Sequence, residues 1–358
     1  MLNCSEASLS RYHFFDFSLE DLGDFLVEQG EKRFRATQLY KWVYGHKVQD
    51  FSQMTDISKS FREKLPDLFD FSLPPVVSDR TSVDGTRKFL FDVGDGDTIE
   101  AVLIPSPGRL TLCLSTQVGC NMACKFCFTG KMKMKRRLKA HEIVGQFLQA
   151  DRLLGSDQRI SNIVYMGMGE PLDNPENVLT SIQIFNTTIG IGLSRKRITV
   201  STSGLVDRIP LITESGARLA VSLNGVNDEV RSQVMPINNK WNIKELLDAC
   251  VEHCRITKDK VTFEYVLLKG VTDSIEDARQ LYKITRRVPC KINIIPFNEH
   301  PGSGFSRPSD SQVVRFQEEL MKLGAHVLLR RTKGRDIYAA CGQLTSAHKE
   351  HPQTMPVQ

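Results

Sequence analysis

The sequence predicts an α/β fold, a partial barrel of about six strand–helix units that follows a small helical domain. From Leu110 onward, short β-branched runs alternate with stretches of helical apolar spacing, as in a parallel sheet with helices outside. Several predicted strands are almost entirely apolar, which is typical of strands covered on both faces. Roughly six units are too few for a closed eight-stranded barrel, so the barrel is expected to be partial.

Residues 1–75 are predicted to form a helical accessory domain. Apolar residues recur there at helical spacing in three segments, which glycine and proline residues separate. These segments are Leu19–Glu28, Thr37–Tyr44 and Ser58–Lys64. Residues 76–105 follow as a predicted β-hairpin linker, in which the strands Arg87–Val93 and Thr98–Ile104 flank a turn at residues 94–96.

Residues 106–336 contain the predicted barrel, and residues 337–358 form a C-terminal segment. Repeated strand–helix units in this range indicate a parallel sheet. The predicted strands are Leu110–Ser115, Ile160–Met166, Arg197–Thr202, Arg218–Leu223, Val261–Leu267 and Lys291–Pro296. The predicted helices include Ala140–Leu154, Pro175–Asn186, Asn242–Cys254 and Ser274–Arg286.

The composition is that of a globular protein with a large core, at 358 residues, 41% hydrophobic and 25% charged. The net charge of +5 is too small to indicate a nucleic-acid partner by itself. The chain shows neither a signal-peptide pattern nor an apolar run of about 18 residues, so we expect a cytoplasmic protein without a membrane-spanning helix. Nine cysteines, an odd number, disfavour a disulfide framework and favour metal binding or thiol chemistry.

Three cysteines lie on one short loop after the first predicted barrel strand. Cys120, Cys124 and Cys127 have the spacing Cys-x3-Cys-x2-Cys, and such closely spaced thiolates commonly hold an iron–sulfur cluster. Three thiolates around four irons would leave one iron open to a substrate or cofactor. A zinc knuckle and three incidental thiols are the alternatives, but structural zinc needs a fourth ligand, for which His141 is a poor candidate.

At these residues the chain resembles the radical S-adenosylmethionine superfamily, which carries Cys-x3-Cys-x-Phe-Cys after the first barrel strand. A second motif, Gly169-Glu170-Pro171, resembles the superfamily's Gly-Glu-Pro sequence, although alone it could be a plain turn. The resemblance implies a [4Fe–4S] cluster whose open iron binds S-adenosylmethionine and cleaves it to a 5′-deoxyadenosyl radical.

Almost the whole chain, from Arg33 to about Leu344, resembles the radical S-adenosylmethionine adenine-C2 methyltransferases of large-subunit rRNA and tRNA. The matching motifs occur in order along the chain and are specific as a set. They are Arg33–Leu39, Gln117–Cys127, Met166–Pro171, Ser201–Gly204, Met235–Asn238 and Ala339–Leu344.

The family's chemistry gives roles to three further residues. Taken alone, Cys113 could be a small core residue, Cys341 a chance thiol and Glu100 an exposed strand glutamate. The resemblance implies that Cys341 takes a methyl group from one S-adenosylmethionine, and that a second supplies the radical which activates this methyl group. The adduct with adenine then loses its carbon-2 proton to Glu100, and Cys113 attacks the sulfur of Cys341 to release the RNA.

Cofactor contacts carry over onto the ends of successive predicted strands, the edge at which α/β barrels collect their active sites. The implied contacts are Gly169, Glu170, Ser201, Ser222, Leu223, Asn224 and Asn298. The chain departs from the family pattern at three places. Asn224 stands where histidine is usual, Tyr338 where aspartate is usual, and Glu299-His300 where Pro-Phe is usual, which bears on local contacts and substrate preference.

Basic residues cluster beside the predicted active-site loops. The densest run is Lys131–Lys139, and further runs are Arg195–Arg197, Arg286-Arg287 and Arg330–Arg335. Basic runs are usually solvated surface, but at these positions phosphate contacts would position a folded RNA. Lys32–Arg35 in the helical domain is predicted to supply a second RNA surface.

The resemblance also implies the partners. They are 23S rRNA in a protein-poor or precursor form, tRNA, and an electron donor such as flavodoxin. No membrane is involved, and the chain is expected to be monomeric.

The nearest alternative is the sister enzyme that methylates carbon 8 of the same adenine and confers antibiotic resistance. Val118 and Pro296 look more like the carbon-2 group. A non-methylating radical enzyme, or an inactive RNA-binding relative, is an alternative from a different class. Cys341 distinguishes a methyltransferase from the non-methylating and inactive alternatives, because only the methyl-transferring reaction needs that thiol.

Overall fold

One ten-stranded sheet organises the protein, whose residues 11–48, 50–155 and 157–345 are described by a computed structural model. The strands are β1 (Tyr12–His13), β2 (Phe69–Asp70), β3 (Val76–Thr81), β4 (Arg87–Asp92), β5 (Thr98–Ser106), β6 (Arg109–Cys113), β7 (Gln117–Val118), β8 (Arg136–Arg137), β9 (Asn162–Tyr165), β10 (Ile198–Thr202), β11 (Arg218–Ser222), β12 (Val261–Leu267), β13 (Cys290–Pro296) and β14 (Val327–Leu329). The helices are α1 (Leu19–Glu28), α2 (Phe34–Tyr40), α3 (Lys59–Leu68), α4 (Ala140–Arg152), α5 (Pro175–Asn186), α6 (Ile209–Ser215), α7 (Asp228–Val234), α8 (Ile243–Thr257), α9 (Ile275–Thr285) and α10 (Asp310–Lys322).

The parallel part of the sheet confirms the predicted partial barrel. Strands β6, β9, β10, β11, β12, β13 and β14 follow one another in that order, and each neighbouring pair is parallel. At least one helix lies in each connection between them, as parallel crossovers require. The six predicted strands are all present, and the short β14 adds a seventh at the edge.

The hairpin predicted within residues 76–105 is present as β4 and β5, and the segment also extends the barrel sheet. Residues 76–105 form β3 and β4 and nearly all of β5, which pair antiparallel with one another and continue the sheet beyond β6. Phe89, Phe91 and Ile99 are fully buried. The strands β4 and β5 therefore contribute to the core of the barrel sheet, because these apolar residues are covered as completely as those of the parallel strands.

The helices α1 to α3 pack around an aromatic group that is continuous with the core of the barrel. Phe14, Tyr40, Phe61 and Phe69 are buried there, and β1 and β2 pair in parallel to join the two ends of the domain. The helices begin and end close to their predicted positions, except that α2 passes at Lys41–Gly45 into a π-helical turn. In the described parts of the chain, every helix is too short or too polar to cross a membrane.

The helical domain meets the barrel at α4. The backbone N–H of His141 donates to Asp16 Oδ1 at 2.8 Å, and its ring Nδ1 lies 2.9 Å from Asp16 Oδ2. The ring of His13 stacks on that of His141 with centroids 3.7 Å apart. These three side chains fix the junction between the two units.

Candidate active site

The three motif cysteines lie on a loop that is closed at its base by β7 and β8. Gln117 pairs with Arg137 and Val118 with Arg136, so residues 119–135 are held as one loop. Gly119 has φ +82°, and a Cβ atom there would lie 2.4 Å from the carbonyl oxygen of Lys133. Only glycine fits this position. The cysteines of the loop all line one cleft with about 890 Å³ of open space.

Burial governs the charge of these thiols. It raises the pKa of Cys120 to about 12 and the pKa values of Cys124 and Cys127 above their usual range. The neighbouring thiol of Cys127 adds repulsion at Cys120 and Cys124. A group of positively charged metal ions at this place would reverse that penalty, because coordinated thiols bind as thiolates.

Among the described residues, His13, Asp16 and His141 bring three possible ligand atoms within 4.8 Å of one another. They lie at the junction with the helical domain, and none of them lines the cleft that holds the three motif cysteines.

Glu170 stands on the cleft wall after β9, and its carboxylate is fixed by the backbone. It is 3% exposed; its Oε2 accepts from the Ser203 N–H at 2.7 Å and its Oε1 from the Leu172 N–H at 3.1 Å. Burial raises the pKa of Glu170, whereas these backbone hydrogen bonds lower it. Gly169, with φ +102°, packs so closely on Gln117 that a Cβ atom would lie 2.6 Å from the Gln117 Cβ.

Five of the seven expected cofactor contacts line the cleft, namely Gly169, Glu170, Ser201, Ser222 and Asn224. Asn224 has a left-handed φ of 48°, and its Oδ1 accepts from the Val266 N–H at 2.8 Å. The structure places the other two elsewhere. Leu223 is fully buried in the core, and Asn298 lines a smaller neighbouring cavity, where its Nδ2 donates to the carbonyl oxygen of Cys341 at 3.1 Å.

Cys341 and Cys113 share one cation, Arg330. Cys341 is exposed, and its open surface faces both the cleft and the smaller cavity. Cys113 follows Thr111 on the inner face of β6 and is 6% exposed. Burial raises the pKa of Cys113 to about 12, desolvation by the surrounding cleft walls raises the pKa of Cys341, and the Arg330 guanidinium lowers both. All cysteines of the described residues are free thiols.

Glu100 lies behind the segment that carries Cys341 and does not line the cleft formed by the described residues. It is 5% exposed on β5. The Lys88 Nζ lies 2.9 Å from its Oε1, and the Thr345 N–H donates to its Oε2 at 2.9 Å. Leu344, the residue before Thr345, does line the cleft. The carboxylate is thus one residue layer away from the cleft.

A second cleft continues from the first toward the amino ends of the parallel strands. It has about 1420 Å³ of open space, and Met166, Glu264 and Arg330 line both clefts. The strand residues that line this second cleft lie on the inner face of the sheet near the strand starts. They include the polar residues Thr111, Thr199 and Thr262, at positions where a filled barrel interior would carry apolar side chains. The basic residues that line it are Arg109, Lys196, Arg218, Arg330, Arg331 and Lys333.

The basic run predicted to contact RNA is largely engaged by the protein itself. Lys131 donates to the carbonyl oxygen of Gly302, and Lys135 pairs with Asp97. Arg136 pairs with Glu142 at 2.6 Å and Arg137 with Asp173 at 2.8 Å. These contacts fix the cysteine loop, so much of the run has a structural role. Arg109 and Arg218, which line the second cleft, lie outside the basic runs named from the sequence.

Comparison with known proteins places this geometry in a family. Residues 12–70 match the ribosomal RNA large subunit methyltransferase N-terminal domain, and residues 114–282 match the radical SAM superfamily. A dual-specificity RNA methyltransferase RlmN of Bdellovibrio bacteriovorus is 61% identical over 96% of this chain and 86% of its own length. That of Dichelobacter nodosus is 45% identical over 93% of this chain and 94% of its own. The chain belongs to the RlmN family of radical S-adenosylmethionine methyltransferases.

A solved structure from this group shares the fold. A radical SAM methyltransferase from Sphaerobacter thermophilus is 39% identical, with a TM-score of 0.87, over 94% of this chain and 100% of that chain. The fold class predicted from the sequence and the recognition of the family are both confirmed.

The family's cofactors are a [4Fe–4S] cluster and S-adenosylmethionine, and the cleft fits them. The three cysteines offer thiol donors at one end, and the wall beyond carries fixed polar groups. Glu264, 5% exposed in the cleft, has one oxygen bonded to Asn293 at 2.8 Å, while its Oε2 has no protein partner among the described residues. A buried acceptor of this kind is available to a bound ligand.

Sequence reasoning missed Glu264 and Arg330 as cleft residues. A signal for Glu264 existed, because it is the one charged residue of the otherwise apolar strand Val261–Leu267. Arg330 lies within a basic run, and no feature of the sequence distinguishes it from the surface arginines of that run. Its place beside two thiols follows only from the parallel pairing of β13 and β14.

Proposed function

We propose that this chain methylates carbon 2 of an adenine in 23S rRNA and in tRNA, with Cys341 as the methyl carrier. One observation supports this most strongly: a single cleft holds the three motif cysteines and Cys341 and continues into a basic cleft. The names of the relatives, dual-specificity RNA methyltransferases, agree with two kinds of RNA substrate.

Cys120, Cys124 and Cys127 would hold the cluster, and Glu170 with Gly169 would receive the amino group of S-adenosylmethionine. When bound, the two cofactors supply methyl groups and radical chemistry. The protein's own residues keep these groups in a cleft whose walls are largely buried, which limits access of water to the reacting atoms.

The two thiols act in sequence. Cys341 carries the methyl group, and its carbonyl is held by Asn298, so the thiol keeps its place in the cleft. Cys113 then attacks the sulfur of Cys341, which forms a disulfide and releases the methylated RNA. Arg330 supports both events, because a guanidinium beside a buried thiol favours the nucleophilic thiolate.

Glu100 accepts the carbon-2 proton. Because the Thr345 N–H and Leu344 separate its carboxylate from the cleft, this role needs a shift of residues 344–345 when RNA is bound. A base must come within hydrogen-bond reach of its proton. The contact of Glu100 with Thr345 is thus a resting arrangement in this proposal.

RNA approaches from the basic cleft at the amino ends of the strands. Six basic side chains line this cleft, three near strand starts and three just after β14, and they can neutralise phosphates while the target base extends toward Cys341. The helical domain offers a second RNA surface, where Phe34 is 50% exposed and Arg35 lies over its ring at 5.0 Å. An exposed aromatic ring between basic residues suits a stacked base.

Anaerobic reconstitution followed by nucleoside mass spectrometry of treated rRNA and tRNA tests the proposal. We expect 2-methyladenosine in both RNAs, and 8-methyladenosine would establish the alternative specificity. Cys341→Ala should yield no methylated RNA while cluster assembly and S-adenosylmethionine cleavage persist. Methylation at the normal rate by that variant would remove the carrier role.

Three further expectations belong to the proposal. They are a flavodoxin-type reductant, a monomeric chain and a cytoplasmic location. Replacing chemical reductant with reduced flavodoxin tests the first, and light scattering of the holoenzyme tests the second.

A further inference from the structure

We propose that Lys88 is a positioning residue that holds Glu100 as a carboxylate and connects it to the segment that carries Cys341. The inference deepens the proposed function and rests on it, because it concerns the group that would take the carbon-2 proton. Lys88 and Glu100 form a buried ion pair on the antiparallel strands β4 and β5.

Lys88 and Glu100 are diagonal neighbours on one face of the sheet. Lys88 on β4 lies opposite Val102 on β5, and Glu100 lies opposite Leu90. The Nζ to Oε1 distance is 2.9 Å, and each side chain is only 7% exposed. Removing one partner of such a buried pair leaves the other charge uncompensated.

The same pair contacts both sides of the methyl-carrier segment. Lys88 Nζ also donates to the carbonyl oxygen of Tyr338 at 3.3 Å, three residues before Cys341. Glu100 Oε2 accepts from the Thr345 N–H at 2.9 Å, four residues after Cys341. Cys341 therefore lies between two backbone contacts that converge on one ion pair.

The charges around Glu100 oppose its burial. Burial raises the pKa of Glu100, and the Lys88 ammonium, the Thr345 N–H and the more distant Arg80 lower it. Lys88 and Arg80 are the cations that face this carboxylate. Burial is the larger effect and leaves the pKa of Glu100 above its ordinary value. Loss of the Lys88 ammonium would raise that pKa further and favour the protonated form, which cannot accept a proton.

This arrangement gives Lys88 a role that a purely structural lysine lacks. When Thr345 moves away, Glu100 loses a hydrogen-bond donor but keeps its ion pair, so it meets the adenine adduct already deprotonated. The proton from carbon 2 then passes to Glu100, which becomes neutral beside the unchanged ammonium of Lys88.

The test uses the reconstituted holoenzyme and the variants K88M, K88Q and K88R. K244M is the matched control, because Lys244 is exposed on α8 and pairs with Asp248. Four quantities are measured: S-adenosylmethionine cleavage, methylation of Cys341 by mass spectrometry, protein–RNA adduct on a denaturing gel, and release of methylated RNA as a function of pH.

We expect K88M to cleave S-adenosylmethionine and methylate Cys341, yet to accumulate adduct and release methylated RNA about 100-fold more slowly at neutral pH. Its release profile should move to higher pH. K88Q keeps a hydrogen-bond donor but lacks the charge, so it should behave like K88M. It replaces K88M in the test if K88M does not fold. K88R and K244M should resemble the wild type.

Normal release by K88M and K88Q with an unshifted pH profile would overturn the role of Lys88. Loss of Cys341 methylation in both variants would also overturn it, since the residue would then be needed only for folding. A wild-type enzyme that forms neither adduct nor methylated adenine would instead refute the proposed function itself.

Discussion

The backbone N–H of Phe128 donates to the carbonyl oxygen of Gly342 at 2.7 Å. Phe128 directly follows Cys127, the last cysteine of the loop, and Gly342 directly follows Cys341. This hydrogen bond joins the cysteine loop to the segment that is proposed to carry the methyl group. The two parts of the site are positioned by each other, although more than 200 residues separate them in the chain.

Thr129 extends this connection through its side chain. It is buried, and its Oγ1 donates to the carbonyl oxygen of Leu344 at 2.7 Å. Thr129→Val keeps the shape but leaves that carbonyl unpaired, which should cost about 1–3 kcal/mol and slow methylation of Cys341. Thermal unfolding and mass spectrometry measure the two effects. Thr129→Ser is the control, and equal behaviour of both variants would contradict the connection.

Arg330 should set the pH dependence of RNA release. The pKa of Cys113 is about 12 because of burial, even with Arg330 lowering it, so the thiolate fraction rises about tenfold per pH unit across the neutral range. Release should accelerate accordingly. Arg330→Met should slow release and move its pH profile upward, whereas Arg330→Lys keeps a positive charge. Timed quenching of the adduct at several pH values measures this, and a pH-independent release would count against Cys113 as the attacking thiol.

Glu170→Gln should weaken S-adenosylmethionine binding without loss of iron. Glutamine cannot accept from both the Ser203 and Leu172 N–H groups, and it lacks the charge that attracts an ammonium group. We expect a Kd about 10- to 100-fold higher, measured by anaerobic calorimetry. Glu176→Gln, an exposed position on α5, is the control. Unchanged affinity would remove Glu170 from the binding site.

His13 should make the domain junction sensitive to acid. Burial and the adjacent His141 lower the pKa of His13 from 6.5 to about 4. The unfolded chain therefore binds a proton that the folded chain excludes, so stability falls as the pH drops from 6.5 to 4. His13→Phe keeps the stacked ring and should flatten the dependence of Tm on pH in that window. His46→Phe, at an exposed position, should not, and equal slopes would refute the assignment.

The parallel strands of the barrel could be predicted more fully than the barrel helices. Short apolar runs with β-branched residues identified all six long parallel strands, because buried strands leave a dense local signal. The three-residue β14 is too short to show a period. Helix α10 was not predicted, although Val313, Phe316 and Leu320 are buried at helical spacing.

The candidate site likewise has residues that the sequence could predict and contacts that it could not. The three loop cysteines and Glu170 lie in short motifs whose spacing carries their geometry. The contacts of Lys88 with Tyr338 and of Glu100 with Thr345 join residues about 245 to 250 positions apart, and no local pattern indicates them. The family resemblance gave Leu223 and Asn298 as cofactor contacts, and both stay predictions. In the structure the Leu223 side chain lies in the core, and the Asn298 amide donates to the carbonyl oxygen of Cys341.

The basic cleft continues from the cleft of the cysteine loop toward the amino ends of the parallel strands. In the proposed function, an incoming nucleotide therefore enters along the interior of the barrel, and only an unstacked base on a flexible stretch of backbone has that reach. An adenosine already locked inside a finished ribosomal particle lacks such freedom. We therefore expect the rRNA to be methylated before ribosome assembly is complete, and not afterwards.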